Sequence, residues 1–188
     1  MLLESFLSNQ RGKVADRLIP DERRSGRVLD LGCGEEARFL HMTRFAEKFG
    51  MDRLAARHSD GSGITRIDAD IETADTLPFE DNYFDVVTML AVFEHIEPYR
   101  LETLVSEIRR ILKPGGSYIL TTPAVWTDGM LRVMAKLKLI DGVLLAEHKD
   151  AYTHAMIARV LQRSGFDQEQ MRFGYFELFM NLWAAARK

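Results

Sequence analysis

Short apolar runs alternate with amphipathic stretches along this 188-residue chain. The runs have the length of buried strands, and the stretches between them carry apolar residues at the spacing of a helix. Strands are predicted at residues 27–31, 64–68, 83–91 and 117–121, with a short strand at 49–52 and a closing hairpin pair at 170–175 and 178–186. This alternation predicts an α/β fold whose sheet is covered on both faces.

Helices are predicted between these strands. An amphipathic leading helix or helix pair ends near Pro20, and further helices are predicted at 37–49, 99–112 and 154–164, with a helix-rich insertion at 127–149. The segment Lys113-Pro114-Gly115-Gly116 is predicted to end the helix before it. Around the strand at 49–52 an alternative stays open, because residues 54–57 could continue a helix.

Length and composition indicate one domain over residues 1–188, with an N-terminal helical cap at 1–26 and a helical insertion at 123–153. The net charge of -3 gives no polyanion-binding character, so nucleic acid is not an expected partner. Cys33 is the only cysteine, which excludes an internal disulfide and suits a reducing cytosol. No signal-like apolar block and no run near the ~20 residues of a membrane span is present. A cytoplasmic protein without membrane contact is therefore predicted.

The segment Val28-Leu29-Asp30-Leu31-Gly32-Cys33-Gly34 carries the main functional prediction. It predicts a buried strand that runs into a glycine-rich turn, where a ligand can lie on bare backbone. With Ala37, the glycines also fit the dinucleotide fingerprint. Glu35 and Glu36, however, stand where the next helix is predicted to begin and would repel a pyrophosphate. A cationic ligand without phosphates, such as S-adenosylmethionine, fits better.

Further segments follow in an order that carries a family resemblance. They are Asp70-Ile71, the stretch at 77–87, Phe93-Glu94-His95-Ile96 and Leu112-Lys113-Pro114-Gly115-Gly116. Together with residues 28–34 the chain resembles the class I S-adenosylmethionine-dependent methyltransferases, in particular their small single-domain branch. The resemblance implies a doubly wound, Rossmann-like, mostly parallel seven-stranded sheet with helices on both faces and an antiparallel C-terminal strand. One departure is Glu36, which stands where the family usually has a third glycine.

The resemblance also implies which residues bind the cofactor, S-adenosyl-L-methionine. Gly32, Cys33 and Gly34 bring the backbone close to its methionine and ribose parts. Asp30 orients this turn and helps to hold the ammonium group. Asp52, about twenty residues past the turn, is placed to accept two ribose hydroxyls.

The adenine and the ammonium have further predicted contacts. Asp70 accepts the adenine amino group, and the backbone amide of Ile71 lies on the ring. Asp68 takes this role if the strand register is shifted, and Asp75 is a more distant alternative. The backbone of residues 90–91, Leu90 and Ala91, bonds the ammonium at the end of the central strand.

Methyl transfer from a sulfonium needs a general base only if the acceptor loses a proton near the attack. His95, just past the central strand, and His148, in the insertion, are the predicted catalytic residues, because histidine titrates near neutral pH. Glu94 either caps a helix or faces the acceptor. No metal site is predicted.

The acceptor is predicted to be a small molecule, lipid-like and glycan-linked compounds included, and the protein a monomer or homodimer. Met130, Val133, Met134 and Leu137 recur at helical spacing. Their apolar side either covers the active site or meets a greasy acceptor or a membrane surface. Thr121-Thr122-Pro123-Ala124 lacks the Asn/Asp-Pro-Pro-aromatic motif of amino-methylating nucleic-acid enzymes. Two other functions stay open: an NAD-dependent oxidoreductase and a non-catalytic S-adenosylmethionine-binding partner protein.

Overall fold

The computed structural model describes residues 2–55, 61, 63–125 and 152–188. Within them the helices are α1 (Leu2–Leu18), α2 (Arg38–Met42), α3 (Pro98–Ile111) and α4 (His154–Arg163). The strands are β1 (Arg27–Leu31), β2 (Glu47–Asp52), β3 (Ile64–Asp68), β4 (Phe84–Leu90), β5 (Leu112–Pro123), β6 (Met171–Phe176) and β7 (Asn181–Arg187). Short 3-10 turns lie at Asp21–Arg23, Phe93–His95 and Gln168–Gln170.

The strands form one sheet in the order β3-β2-β1-β4-β5-β7-β6. Strands β1 to β5 run parallel to one another, and β7 is antiparallel to both β5 and β6. The strand order reverses between β1 and β4, which is the switch point where ligands bind in open α/β sheets. The predicted Rossmann-like, seven-stranded architecture is confirmed.

Helices cover both faces of the sheet, because neighbouring residues on the central strands point to opposite sides. On one face α1 and α2 pack on the strands through a cluster that includes Ala15, Phe39, Leu40, Val28, Val86 and Ile119. On the other face α3 and α4 pack through a larger cluster that includes Leu104, Ile108, Ile157, Leu161, Leu29, Val87 and Leu120. β1 and β4 are mostly apolar and are buried along almost their whole length, which reflects this burial on both sides.

The predicted helix at 37–49 is wrong beyond Met42. α2 ends there, where the amide of Thr43 donates to the carbonyl of Phe39, and β2 already begins at Glu47. Phe49 packs edge-to-face on Phe84, with 5.3 Å between the ring centroids, instead of continuing a helical stripe. Pairing of β2 with β1 and this aromatic packing therefore outweigh the local helical spacing.

Two further boundaries differ from the prediction. Residues 113–116 do end α3, but they belong to β5, which starts directly at Leu112 and contains a register shift opposite β4. The last strand begins at Asn181 and not at 178, because residues 177–179 all have positive φ angles and form the hairpin turn.

No helix among the described residues is long and apolar enough to cross a membrane. The predicted insertion at 123–153 lies mostly outside the described residues, as do the apolar stripe from Met130 to Leu137 and His148. The domain organisation stays a prediction.

Candidate functional site

A cleft of about 750 Å³ opens at the carboxyl end of the sheet, beside the strand-order reversal. The turn at 32–36 forms one wall, with Asp30 at the end of β1 and Leu90 at the end of β4. Ser8 and Arg11 of α1 line it from above the sheet. The cleft therefore brings together the turn, the central strands and the leading helix.

The two glycines of the turn have different surroundings. Gly32 has a φ of 75°, and a Cβ added there would lie 2.3 Å from Val92 Cγ2. Gly34 has a φ of 67°, and no heavy atom lies within 4 Å of where its Cβ would be. Both need glycine for their backbone conformation, but only at Gly34 does the missing side chain leave open space for a ligand.

Asp52 ties the end of β2 to this turn. Its Oδ2 accepts a hydrogen bond of 2.9 Å from the amide of Gly34, and its Oδ1 accepts one of 2.9 Å from the amide of Leu54. A carboxylate has about four lone-pair positions, so both oxygens keep the capacity to accept a ligand hydroxyl. The structure thus brings Asp52 to the turn, and its ribose contact stays a prediction.

Asp30 is the buried acid of the cleft, with 3% of its surface exposed. Burial raises its pKa to about 7, against a hydrogen bond from Thr88 that lowers it, and the negative charge of Asp52 adds to the rise. A bound cation next to Asp30 would favour its ionised form. The side chain is therefore suited to a positively charged group.

The end of β4 turns sharply at Ala91, whose φ is 56°. Its amide donates to the carbonyl of Thr121 over 2.9 Å, and Thr121 Oγ1 lies 3.2 Å from the same nitrogen. A bound ammonium only donates hydrogen bonds, so it would contact backbone carbonyls here. Ala91 itself does not line the cleft, whereas Leu90 does.

The predicted adenine residues lie further from the turn. Asp70 follows β3, and its Oδ1 accepts a hydrogen bond of 2.9 Å from the amide of Glu72. Ile71 is buried and Asp68 is exposed. Over the part of the chain that the structure describes, none of these three lines the cleft, and their role stays a prediction.

The acids of the turn do not begin a helix, contrary to the prediction. Ala37 has a φ of 45°, and α2 starts only at Arg38, so Glu35 and Glu36 lie in the turn itself. Both line the cleft, but the Arg38 guanidinium pairs with the Glu36 carboxylate. The negative charge that faces a ligand is therefore smaller than the sequence suggests.

The pKa of the neighbouring Cys33 thiol is raised to about 12, mainly by burial, which makes it a poor nucleophile.

The 3-10 turn Phe93–His95 follows β4 and carries two of the residues considered for proton transfer. Glu94 is 2% exposed, and burial raises its pKa, while His95 is half-buried beside it. Glu94 caps no helix: neither this turn nor α3 has a side-chain cap. His148 lies outside the described residues, and the catalytic role of both histidines stays a prediction.

Sequence reasoning missed Arg11 as a site residue. Arg11 lines the cleft from α1, and Thr122 of β5 is buried next to Glu94, outside the lining of the cleft. Neither residue belongs to a segment that predicts the cofactor site; only the packing of α1 and β5 at the end of β4 brings them to this place.

Known proteins that are similar to this chain include methyltransferases. A family model described as a methyltransferase domain matches residues 29–120. The ubiquinone biosynthesis O-methyltransferase of Roseobacter denitrificans is 34% identical over 114 residues, covering 57% of this chain and 45% of its own length. The ubiquinone/menaquinone biosynthesis C-methyltransferase of Azotobacter vinelandii is 33% identical over 109 residues, covering 50% of this chain and 41% of its own length. The chain thus spans less than half the length of these curated relatives.

The fold has solved counterparts. A crystal structure of a methyltransferase from Thermotoga maritima, described as a possible histamine N-methyltransferase, superimposes with a TM-score of 0.74. It is 18% identical, and the match covers 100% of this chain and 91% of the other. At this identity the likeness concerns the fold.

Proposed function

The chain belongs to the class I S-adenosylmethionine-dependent methyltransferases, and we propose that it methylates a small-molecule acceptor in the cleft beside Gly32 and Gly34. The observation that carries this proposal is the cleft itself. It opens at the strand-order reversal, has bare backbone at Gly34, and contains a buried carboxylate at Asp30. A cationic ligand without phosphates suits these features better than a dinucleotide does.

S-adenosylmethionine supplies a methyl group that its sulfonium already activates. The residues of this chain then have to bind the cofactor and orient it toward the acceptor. Asp30 holds the ammonium with help from the carbonyls of Leu90 and Ala91, and Asp52 accepts the ribose hydroxyls. Asp70 and the Ile71 amide receive the adenine.

The main catalytic task of the protein is alignment and the exclusion of water. The cleft supports this role, because α1 reaches over it with Ser8 and Arg11. We expect a small acceptor because the names of the relatives point to O-, C- and N-methylation of small compounds. We expect a cytoplasmic monomer or homodimer with no nucleic-acid partner, given the net charge of -3 and the lone cysteine.

Calorimetric titration with S-adenosylhomocysteine and with NAD tests the cofactor. Transfer of label from methyl-labelled S-adenosylmethionine to a broad panel of hydroxyl, amine, thiol and carbon acceptors tests the reaction. The exposed Glu80 provides a control variant, E80Q, which should behave as the wild type. We expect tight S-adenosylhomocysteine binding, no NAD binding and label transfer to at least one acceptor. Tight NAD binding alone would support an oxidoreductase, and cofactor binding without any transfer would support a binding protein.

A further inference from the structure

Two buried polar atoms near the ends of β4 and β5 lack a hydrogen bond of good geometry to any described residue. They are Glu94 Oε2 and Thr122 Oγ1, whose residues are only 2% and 1% exposed. The Thr122 hydroxyl lies close enough to Glu94 to lower the pKa of its carboxyl. Leaving such atoms unpaired away from water costs free energy, so native proteins rarely do so without a reason. Parallel neighbours β4 and β5 bring both residues to the edge of the sheet where the cleft opens.

Arg11 connects this pair with the cleft. It lines the cleft, and its charge lowers the pKa of Glu94 against the larger effect of burial. It acts in the same way on Glu177, in the turn between β6 and β7. Within the described ranges no salt bridge joins Arg11 to either carboxylate, and Arg11 Nε is itself unpaired. Glu177 Oε1 is unpaired too, while its Oε2 accepts from Asn181.

Structural roles do not account for Glu94. It caps neither the turn Phe93–His95 nor α3, and it forms no ion pair in the part of the chain that is described. Tyr152 closes the same region by packing edge-to-face on Phe93, with 4.8 Å between the ring centroids. The carboxylate is thus held in a closed, largely apolar environment, where burial disfavours its charged form more than its own backbone and the Thr122 hydroxyl favour it.

We propose that Glu94 and Thr122 receive the polar group of the acceptor, and that Glu94 accepts its proton during methyl transfer. The acceptor then attacks through an oxygen or nitrogen that carries a hydrogen. This inference rests on the proposed function and narrows its acceptor class. It assigns to Glu94 the proton-accepting role that the sequence analysis predicts for a histidine.

The proposed step combines the transfer of a methyl group with the transfer of one proton. The O–H or N–H bond of the acceptor breaks, and its proton moves to Glu94 Oε2. The acceptor heteroatom bonds the methyl carbon with its electron pair, and the carbon–sulfur bond breaks with its pair left on sulfur. Burial raises the pKa of Glu94, which strengthens it as a base. The charged and titratable groups that act on it are Arg11 from α1 and the adjacent His95.

The test compares E94Q, E94D, T122V and the surface control E80Q with the wild-type chain. 3,4-Dihydroxybenzoate serves as the hydroxyl probe and histamine as the amine probe, and the labelled-acceptor panel extends both classes. Thermal unfolding, S-adenosylhomocysteine affinity, probe binding to the S-adenosylhomocysteine complex, and the pH profile of kcat/KM are measured.

We expect E94Q to keep its unfolding temperature or gain a few degrees, because the substitution replaces a buried ionisable carboxyl by a neutral amide of the same shape. Its S-adenosylhomocysteine affinity should stay within about twofold, while methyl transfer falls about 100-fold or more and the acidic limb of the pH profile disappears. E94D should recover part of the rate, and T122V should raise KM more than it lowers kcat.

Two results would overturn the proposal while leaving the proposed function intact. One is an unfolding temperature lowered by more than about 5 °C in E94Q, which would indicate a structural carboxylate. The other is label transfer confined to acceptors that attack through carbon or a thioether. Failure of the wild-type chain to bind S-adenosylhomocysteine would instead overturn both, and this outcome is distinct because it does not depend on Glu94.

Discussion

The hydroxyl of Thr88 on β4 donates a hydrogen bond of 2.7 Å to Asp30 Oδ1 on β1. The two residues are register partners on adjacent parallel strands, and Thr88 is fully buried. Burial raises the pKa of Asp30 to about 7, and this hydrogen bond lowers it. Thr88 therefore controls how much of the Asp30 side chain is ionised at neutral pH.

Replacing Thr88 by valine should weaken cofactor binding at neutral pH. T88V removes the donor, raises the pKa of Asp30 above about 7, and keeps the carboxyl neutral over a wider range. If ionised Asp30 holds the ammonium, affinity for S-adenosylhomocysteine falls as pH decreases below this pKa, by up to about tenfold per unit. Calorimetry from pH 6 to 9 should show this decrease shifted to higher pH in T88V. T103V, on the exposed face of α3, is the matched control and should follow the wild type.

The carboxyl of Asp30 should also make the stability of the protein depend on pH. Its pKa is raised from 3.8 to about 7 on folding, so its contribution is fully present below pH 3.8 and is lost as pH rises through about 7. The unfolding free energy of the wild type should therefore fall between about pH 4 and 7 relative to D30N, by at most about 1.4 kcal/mol per unit of pKa difference. Denaturant titrations at several pH values measure this. Parallel profiles for the two proteins would show that Asp30 is not perturbed.

The sequence predicts the centre of the fold better than its margins. The predicted bounds of β1 match the observed ones, because a strand buried on both faces is mostly apolar and this one ends in a glycine turn. β2 was predicted too short, because Phe45 and Phe49 also have helical spacing, and only pairing with β1 decides between the two structures. Local patterns cannot contain that information.

The residues of the site also differ in how far the sequence predicts that they lie close together. Asp30, Gly32 and Gly34 belong to one short motif, so their proximity follows from the chain itself. Arg11 and Thr122 come from distant elements that the sheet and α1 bring to the end of β4. Burial without a partner is a property of three-dimensional packing, and no sequence spacing reports it.

Asp52 should both stabilise the glycine turn and bind the ribose of the cofactor. D52A removes the acceptor of the Gly34 and Leu54 amides, and we expect S-adenosylhomocysteine affinity to fall at least about tenfold, or ~1.4 kcal/mol. Competition by adenosine and 2′-deoxyadenosine separates the two contributions. The wild type should prefer adenosine, and D52A should bind both alike. An unchanged preference in D52A would assign the ribose to another residue. D21A, at an exposed acid, is the control.

The two turn glycines should differ in their effect on folding. In G32A the added Cβ meets Val92 Cγ2 at 2.3 Å, so overpacking adds ~1–3 kcal/mol to the cost of a positive φ. In G34A there is space, and only the backbone cost of ~1–2 kcal/mol remains. Chemical denaturation should therefore rank G32A as the less stable variant, and V92A should restore part of its loss. G34A, although the more stable of the two variants, should bind S-adenosylhomocysteine more weakly because its methyl group occupies the open side of the turn. Equal stability of the two variants would contradict the packing difference.

Restoring the family glycine at position 36 should change little. The φ of Glu36 is not positive, its side chain is 61% exposed, and its carboxylate pairs with Arg38. The backbone therefore does not require glycine there, and the side chain is held by a neighbour of opposite charge. We expect E36G to lose ~0.5–1 kcal/mol of stability from added backbone freedom and to keep S-adenosylhomocysteine affinity within about threefold. E36A, which removes the carboxylate but retains the Cβ, separates the effect of the Glu36 charge from the effect of the space that a side chain occupies. Tenfold tighter binding in E36G but not in E36A would mean that the side chain at this position narrows the cofactor site.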